Sequence, residues 1–153
     1  MTDAAANPLL SPSPLPFDLP DYPRIRPQHY LPAFEQAFAA HRAEIEAIAA
    51  STEEPTFENT LVALERSGDL LGRVARTFYT VSSADATADI QEIDEQLAPL
   101  MAAHQDAVTL DARLYARVAA VHAQLDDLGL TGEDRYLVER THREMTNAGA
   151  GLD

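Results

Sequence analysis

Cysteine, lysine and tryptophan are absent from this sequence of 153 residues, and glycine occurs only six times. Without cysteine the chain has no disulfide, no thiol nucleophile and no thiolate metal site. No apolar run reaches the ~20 residues of a transmembrane helix. The segment after Met1 lacks the basic and apolar regions of a secretory signal. These absences together predict a cytoplasmic protein.

Cations are scarce as well, and this excludes two classes of partner. Eleven arginines stand against 25 acidic residues, which gives a formal net charge of −14. Such a chain repels phosphate backbones and anionic membrane surfaces, so neither nucleic acid nor a membrane is an expected partner. The hydrophobic fraction of 46% is that of a globular chain. The length fits one domain or a piece of a larger one.

Proline is concentrated at the start of the chain. Eight of the ten prolines lie at positions 8, 12, 14, 16, 20, 23, 27 and 32. Proline fixes φ and removes a backbone donor, so residues 1–27 are predicted to form an extended, proline-rich arm without α-helix. Five larger apolar residues recur along this arm and indicate that it packs against another surface: Leu15, Phe17, Leu19, Tyr22 and Ile25.

From residue 28 onward the apolar residues recur at intervals of three and four. This spacing predicts about six helices over 28–153, packed as antiparallel hairpins in an all-α fold. The clearest stripe comprises Ile90, Ile93, Leu97, Met101, His104 and Val108. Pro99 lies inside that stripe and is predicted to kink its helix. No segment alternates in the manner of a β-strand.

Polar residues and glycines mark the predicted helix ends. Thr56, Asp111 and Thr131 are predicted N-caps, because each can accept a hydrogen bond from a free amide of the first turn. Gly68 is predicted to end the second helix, and Gly129 is predicted to end the fifth after Leu128. The segment 82–85 is predicted to break the third helix.

A search for catalytic chemistry assigns no residue. Zinc hydrolases of the helical kind need H-E-x-x-H, but no two of His29, His41, His104, His122 and His142 are four apart. A di-metal bundle needs two Glu-x-x-His motifs, and only Glu139 with His142 has that spacing. We therefore interpret this pair as exposed polar residues. His41 and His104 lie on apolar stripes and are predicted to be half-buried and hydrogen-bonded. No catalytic, cofactor-binding or metal residue is assigned.

Several strings nevertheless resemble the opening of the thimet-oligopeptidase family, most closely its bacterial oligopeptidase A and peptidyl-dipeptidase members. The resemblance covers about residues 7–153, and the stretch 55–74 is the most characteristic part. The strings that carry it are Phe17-Asp18-Leu19-Pro20, residues 25–33, Glu44-Ile45-Glu46-Ala47-Ile48-Ala49, Pro55-Thr56-Phe57-Glu58-Asn59-Thr60, Ala63-Leu64-Glu65-Arg66-Ser67-Gly68, Leu70-Leu71-Gly72-Arg73-Val74, Ala98-Pro99-Leu100, Leu128-Gly129-Leu130 and Gly149-Ala150-Gly151-Leu152.

The resemblance implies a function that the residues themselves do not reveal. Enzymes of this family are longer, mostly helical, zinc-dependent peptidases that act on short peptides, either by internal cleavage or by dipeptide release. Their H-E-x-x-H motif and the glutamate that is the third zinc ligand lie downstream of the matched region. Their N-terminal helices form part of the wall of a deep substrate channel.

We therefore expect a non-catalytic N-terminal segment that helps to wall the substrate channel. Zinc would belong only to the parent enzyme, and the partners would be the missing catalytic domain and short peptides. Alone, the chain should be inactive and prone to self-association. Arg73 and Arg76 could face anionic peptide groups, although pairing with nearby glutamates is the favoured interpretation. Two alternatives stay open: a self-contained acidic helical interaction module and a di-metal bundle enzyme.

Overall fold

A computed structural model describes residues 7–152, and these residues form α-helices joined by short helical turns and loops. The α-helices are α1 (Tyr30–Ala49), α2 (Ala63–Arg66), α3 (Asp69–Ala84), α4 (Ala88–Thr109), α5 (Ala112–Ala123) and α6 (Gly132–Ala148). The described range contains no β-strand, and the predicted all-α class is confirmed. No helix within it is both long and apolar enough to span a membrane.

Two of the three predicted N-caps make the expected hydrogen bonds. The Thr56 hydroxyl accepts from the Asn59 amide, and the Asp111 carboxylate accepts from the amides of Arg113 and Leu114. Thr131 occupies the N-cap position of α6, but its side chain makes no capping bond. Gly68 ends α2 in the left-handed region (φ 75°), as its placement predicts.

Other helix boundaries differ from the predictions. The second helix begins with a π-helical turn, Phe57–Val62, before the short α2. The third, in contrast, ends at Ala84, inside the segment 82–85 that is predicted to break it. The fifth ends at Ala123 rather than after Leu128, and a run of turns follows it. Its later apolar residue Leu125 is still buried, since it packs from a turn instead of from the helix.

The described part of the arm contains no α-helix, as predicted, but it is not uniformly extended. Three single turns of 3₁₀-helix interrupt it: Pro16–Asp18, Tyr22–Arg24 and Pro27–His29. Each has proline in its first positions, where the missing amide and the fixed φ of proline are compatible with a helical turn. Proline therefore excludes long helices here without excluding single turns.

The chain divides into two compact units, each with its own core. The first unit comprises residues up to His41 together with Gly68–Ala102. The second comprises Arg42–Ser67 together with the residues from Ala103 onward. The first core is centred on the rings of Tyr30, Phe34 and Phe78, and the second on Leu61, Leu114, Val118, Val121 and Val138. Arm residues Leu9 and Ile25 belong to the first core, so the described arm is part of a unit rather than a linker.

Candidate functional site

The first unit contains a cavity of about 260 Å³ between the arm and α3. Arg73 donates a 3.3 Å hydrogen bond from an Nη to the Leu9 carbonyl, and the Thr77 hydroxyl donates to the Arg73 carbonyl. Asn7 also lines this cavity and connects the two ends of the described arm, because its side-chain amide nitrogen donates to the His29 carbonyl at 2.9 Å. The cavity is therefore held by hydrogen bonds that join distant parts of the sequence.

A second cavity of about 600 Å³ shares the Arg73 and Thr77 side of α3. Its lining contains two arginines, Arg73 and Arg76, and two acidic residues, Asp18 and Asp69. The predicted pairing of the two arginines with glutamates is not found, because within residues 7–152 neither guanidinium has a carboxylate partner at 4.0 Å or less. The cavity thus offers both signs of charge together, as a zwitterionic group would require.

The second unit contains a cluster of aromatic and imidazole rings between α5 and α6. His122 and His142 stack with their ring centroids 4.0 Å apart and their planes 10° from parallel. Tyr115 also stacks with His142, with ring centroids 5.6 Å apart, and its hydroxyl lies 3.1 Å from the Thr146 hydroxyl. All three rings are half-buried. His142 is therefore not the exposed residue that its spacing from Glu139 predicts.

The neighbours of His142 make its protonation unfavourable. Partial burial lowers the pKa of His142 first, and the nearby charge of His122 lowers it further. Two imidazolium rings would repel each other, because they stack with centroids 4.0 Å apart and are partly shielded from solvent. The pair therefore disfavours a second proton.

The stacked pair does not fit a zinc ion. A metal bonds an imidazole nitrogen in the plane of the ring at about 2.0 Å, and the planes of parallel stacked rings do not converge on one point. Glu139, the acidic residue of the Glu-x-x-His motif, is engaged by Arg135 at 2.9 Å instead. Among residues 7–152 no group of three or more histidine, aspartate or glutamate side chains could hold a metal ion.

We expect the stability of the chain to fall as the pH is lowered from 7.0 to 5.5. The pKa of His142 in the folded state lies below its ordinary value of 6.5, so the unfolded state binds more protons. The contribution of neutral His142 to the stability is fully present above pH 6.5, and it is lost as the pH falls toward the folded-state pKa of His142. The urea midpoint measures this effect. His122→Gln should make the midpoint fall less between pH 7.0 and 5.5, whereas Tyr115→Phe should leave the fall unchanged. A wild-type midpoint that does not change over this range would contradict the prediction.

A buried arginine organises the loop that precedes the π-helical turn. Arg117 on α5 is 6% exposed and donates to the carbonyls of Ser51 and Glu53 at 3.0 and 2.9 Å. Its other Nη donates to the Asn59 side-chain oxygen at 3.0 Å. The same oxygen accepts from the Thr56 amide at 2.8 Å. Arg117 is therefore a positioning residue for the loop and not a group facing a cavity.

The other histidines do not join the ring cluster. His41 is half-buried, as its place on an apolar stripe predicts, whereas His104 is buried more fully than predicted. His29 accepts a 3.0 Å hydrogen bond from the Arg26 amide within a 3₁₀ turn.

Sequence reasoning missed both the stacked histidines and the Arg117 network. One signal for the stack was present: each histidine lies four residues after a buried valine, Val118 or Val138, on its helix. Residues four apart share a helix face, so both imidazoles had to lie near the core.

The chain matches known bacterial peptidases along nearly its whole length. It is 41% identical to the dipeptidyl carboxypeptidase of Salmonella typhimurium over 148 residues, which is 97% of this chain and 22% of that protein. It is 40% identical to the Escherichia coli dipeptidyl carboxypeptidase, and 27% identical to Escherichia coli oligopeptidase A, each over 95% of this chain and 21% of the relative. No protein-family model matches the chain.

These matches confirm the resemblance to an N-terminal region of thimet-oligopeptidase-family enzymes. Within that resemblance, the dipeptidyl carboxypeptidases are more similar than oligopeptidase A. The chain spans about a fifth of the length of the relatives it matches.

Proposed function

We propose that the chain is the non-catalytic N-terminal helical segment of a zinc-dependent oligopeptidase that hydrolyses short peptides. The observation that supports the proposal is the match to the Salmonella typhimurium dipeptidyl carboxypeptidase. The identity is 41%, and the matched region is 97% of this chain but only 22% of that peptidase. Most of the length of these relatives lies outside the matched region. The zinc of the parent enzyme would be held by that other part, since the described side chains here do not fit a metal site.

The contribution we assign to this segment is the shape of the substrate channel. Its helices would form part of the wall that admits short peptides in a cytoplasmic enzyme. The cavity lined by Arg73, Arg76, Asp18 and Asp69 supports this role, because a peptide chain end carries either a carboxylate or an ammonium group. In this chain no residue is proposed to transfer a proton or to attack a carbonyl.

The higher identity to dipeptidyl carboxypeptidases than to oligopeptidase A favours dipeptide release over internal cleavage for the parent enzyme. The name dipeptidyl carboxypeptidase denotes the removal of dipeptides from the carboxyl end of a peptide.

A chimaera tests the proposed function. In it, this chain replaces the matched residues of the Salmonella typhimurium dipeptidyl carboxypeptidase. We expect the chimaera to release dipeptides from an N-acylated peptide, and the isolated chain to release none with or without added zinc. Chromatography of the products measures both, and the relative without its matched segment is the control. Peptide cleavage by the isolated chain, or an inactive but folded chimaera, would contradict the proposal.

A self-contained interaction module is the second candidate, and one observation favours it. Each of the two units has its own buried core among the described residues. A module of this kind would bind a defined partner as a folded monomer and would not restore activity to the chimaera. Dipeptide release by the chimaera would therefore decide against it.

A further inference from the structure

The arm displays a cluster of large apolar side chains to solvent. Four of them lie within eight residues, and their exposed fractions are 40% for Leu15, 95% for Phe17, 55% for Leu19 and 39% for Tyr22. Phe17 has the largest exposed fraction among the large hydrophobic residues in the described range. Aromatic rings bury the most apolar area per residue at interfaces, so this exposure marks a candidate contact surface.

The segment 15–19, which we call the Phe17 turn, is held in place by hydrogen bonds. The Ser13 hydroxyl bonds the Leu19 carbonyl and accepts from the Leu15 amide at 3.1 Å. The Leu19 amide donates to the Pro16 carbonyl across the turn at 3.4 Å. A ring displayed on a closed turn loses little conformational freedom when it binds, which favours association.

The backbone of the Phe17 turn is strained at two consecutive residues. Phe17 (φ 60°) and Asp18 (φ 53°) are the two non-glycine residues with positive φ in the described range. A bulky residue rarely adopts this region, because its Cβ crowds the backbone there. Such strain is characteristic of contact and ligand sites, where the interaction compensates for it.

The occupant of this surface follows from charge and length. The net charge of −14 opposes the self-association predicted from the sequence, because a second copy of the chain carries the same charge and is repelled at close approach. The relatives, in contrast, are about five times as long as the region they share with this chain. In such an enzyme the largest adjacent surface belongs to the remaining four-fifths of the same polypeptide.

We infer that the Phe17 turn docks the arm onto the remaining part of the peptidase, with the Phe17 ring seated in an apolar pocket of that part. This inference rests on the proposed function, because it takes the parent peptidase as the partner.

Thiol accessibility tests the docking, because the chain contains no cysteine of its own. Phe17→Cys places a single thiol in the Phe17 turn, both in the isolated chain and in the chimaera described above, and leaves the exposed Leu15 and Leu19 of the turn in place to hold the docked arm. We expect alkylation by iodoacetamide to be about tenfold slower, or more, in the chimaera than in the isolated chain. Mass spectrometry of the peptide that carries position 17 measures the rate. Unfolding the chimaera in urea should restore fast alkylation.

A second thiol variant provides the matched control. Tyr136 on α6 is another exposed aromatic residue (55%), so Tyr136→Cys should react at similar rates in the two proteins. Equal protection at positions 17 and 136 would overturn the inference, because it would show general shielding. Protection of position 17 in the isolated chain at high concentration would also overturn it in favour of a second copy.

Activity separates the failure of this inference from the failure of the proposed function. A chimaera that releases dipeptides while position 17 stays reactive overturns the docking and retains the function. A chimaera with position 17 protected but without activity retains the docking and overturns the function. Free reactivity together with inactivity overturns both.

Discussion

Replacing Phe78 with alanine is expected to destabilise the first unit by about 4 kcal/mol. The Phe78 ring is completely buried and stands edge-on to three others, with centroid distances of 5.0 Å to Tyr30, 5.3 Å to Tyr79 and 5.8 Å to Phe34. The truncation removes the transfer free energy of a whole ring and leaves a cavity that neighbouring aromatic rings are too rigid to fill. The edge-to-face contacts are lost in addition.

Urea unfolding followed by circular dichroism measures this loss, and amide exchange assigns it to a unit. Protection should fall first in α3, which carries Phe78, and less in α5 and α6 of the second unit. Phe17→Ala is the matched control, since it removes the same ring from a position that is 95% exposed. Equal effects of the two substitutions on the urea midpoint would contradict the buried-ring argument.

Periodicity predicted the fold class because each long helix has a stripe that is buried on one side. In α4, for example, Ile90, Ile93 and Leu97 are all buried, and the helix runs through Pro99 without ending. Capping chemistry located helix starts at Thr56 and Asp111 for the same local reason: a short polar side chain completes its own turn. These signals depend on neighbouring residues only, so the sequence alone reveals them.

The π-helical turn was not predicted, and one of its hydrogen bonds comes from a residue far along the chain. The Asn59 side-chain oxygen accepts from the Thr56 amide and from Arg117, which is 58 residues away. Local propensity in the segment 56–62 indicates only that some helix begins there. The pairing with α5 holds the loop and the turn together, and this tertiary contact has no periodic signal.

The candidate sites show the same division between local and distant causes. The grouping of Arg73 with Arg76 was visible, because residues three apart share a helix face. The cavity beside them was not, since arm residues form its opposite side. The stack of His122 on His142 joins two helices, and a search for motifs within one helix could not find it.

Replacing Arg117 with methionine is expected to destabilise the second unit by about 3 kcal/mol. Methionine fills much of the space of the arginine stem but removes the guanidinium donor from the carbonyls of Ser51 and Glu53 and from the Asn59 side-chain oxygen, of which the last keeps the Thr56 amide. Arg117→Lys should recover only part of the loss, because one ammonium group lacks the planar fork that reaches all three acceptors.

Arg113 provides the matched control, one helical turn before Arg117 on α5. Its guanidinium bonds both oxygens of Glu46, at 2.9 and 2.6 Å, but both side chains are more than half exposed. Solvent screens such a surface pair, so Arg113→Met should shift the urea midpoint far less. The exchange of amides in residues 51–60 should quicken in Arg117→Met alone. Equal destabilisation by the two arginine substitutions would contradict the prediction, because it would show that burial is not the reason for the effect of Arg117.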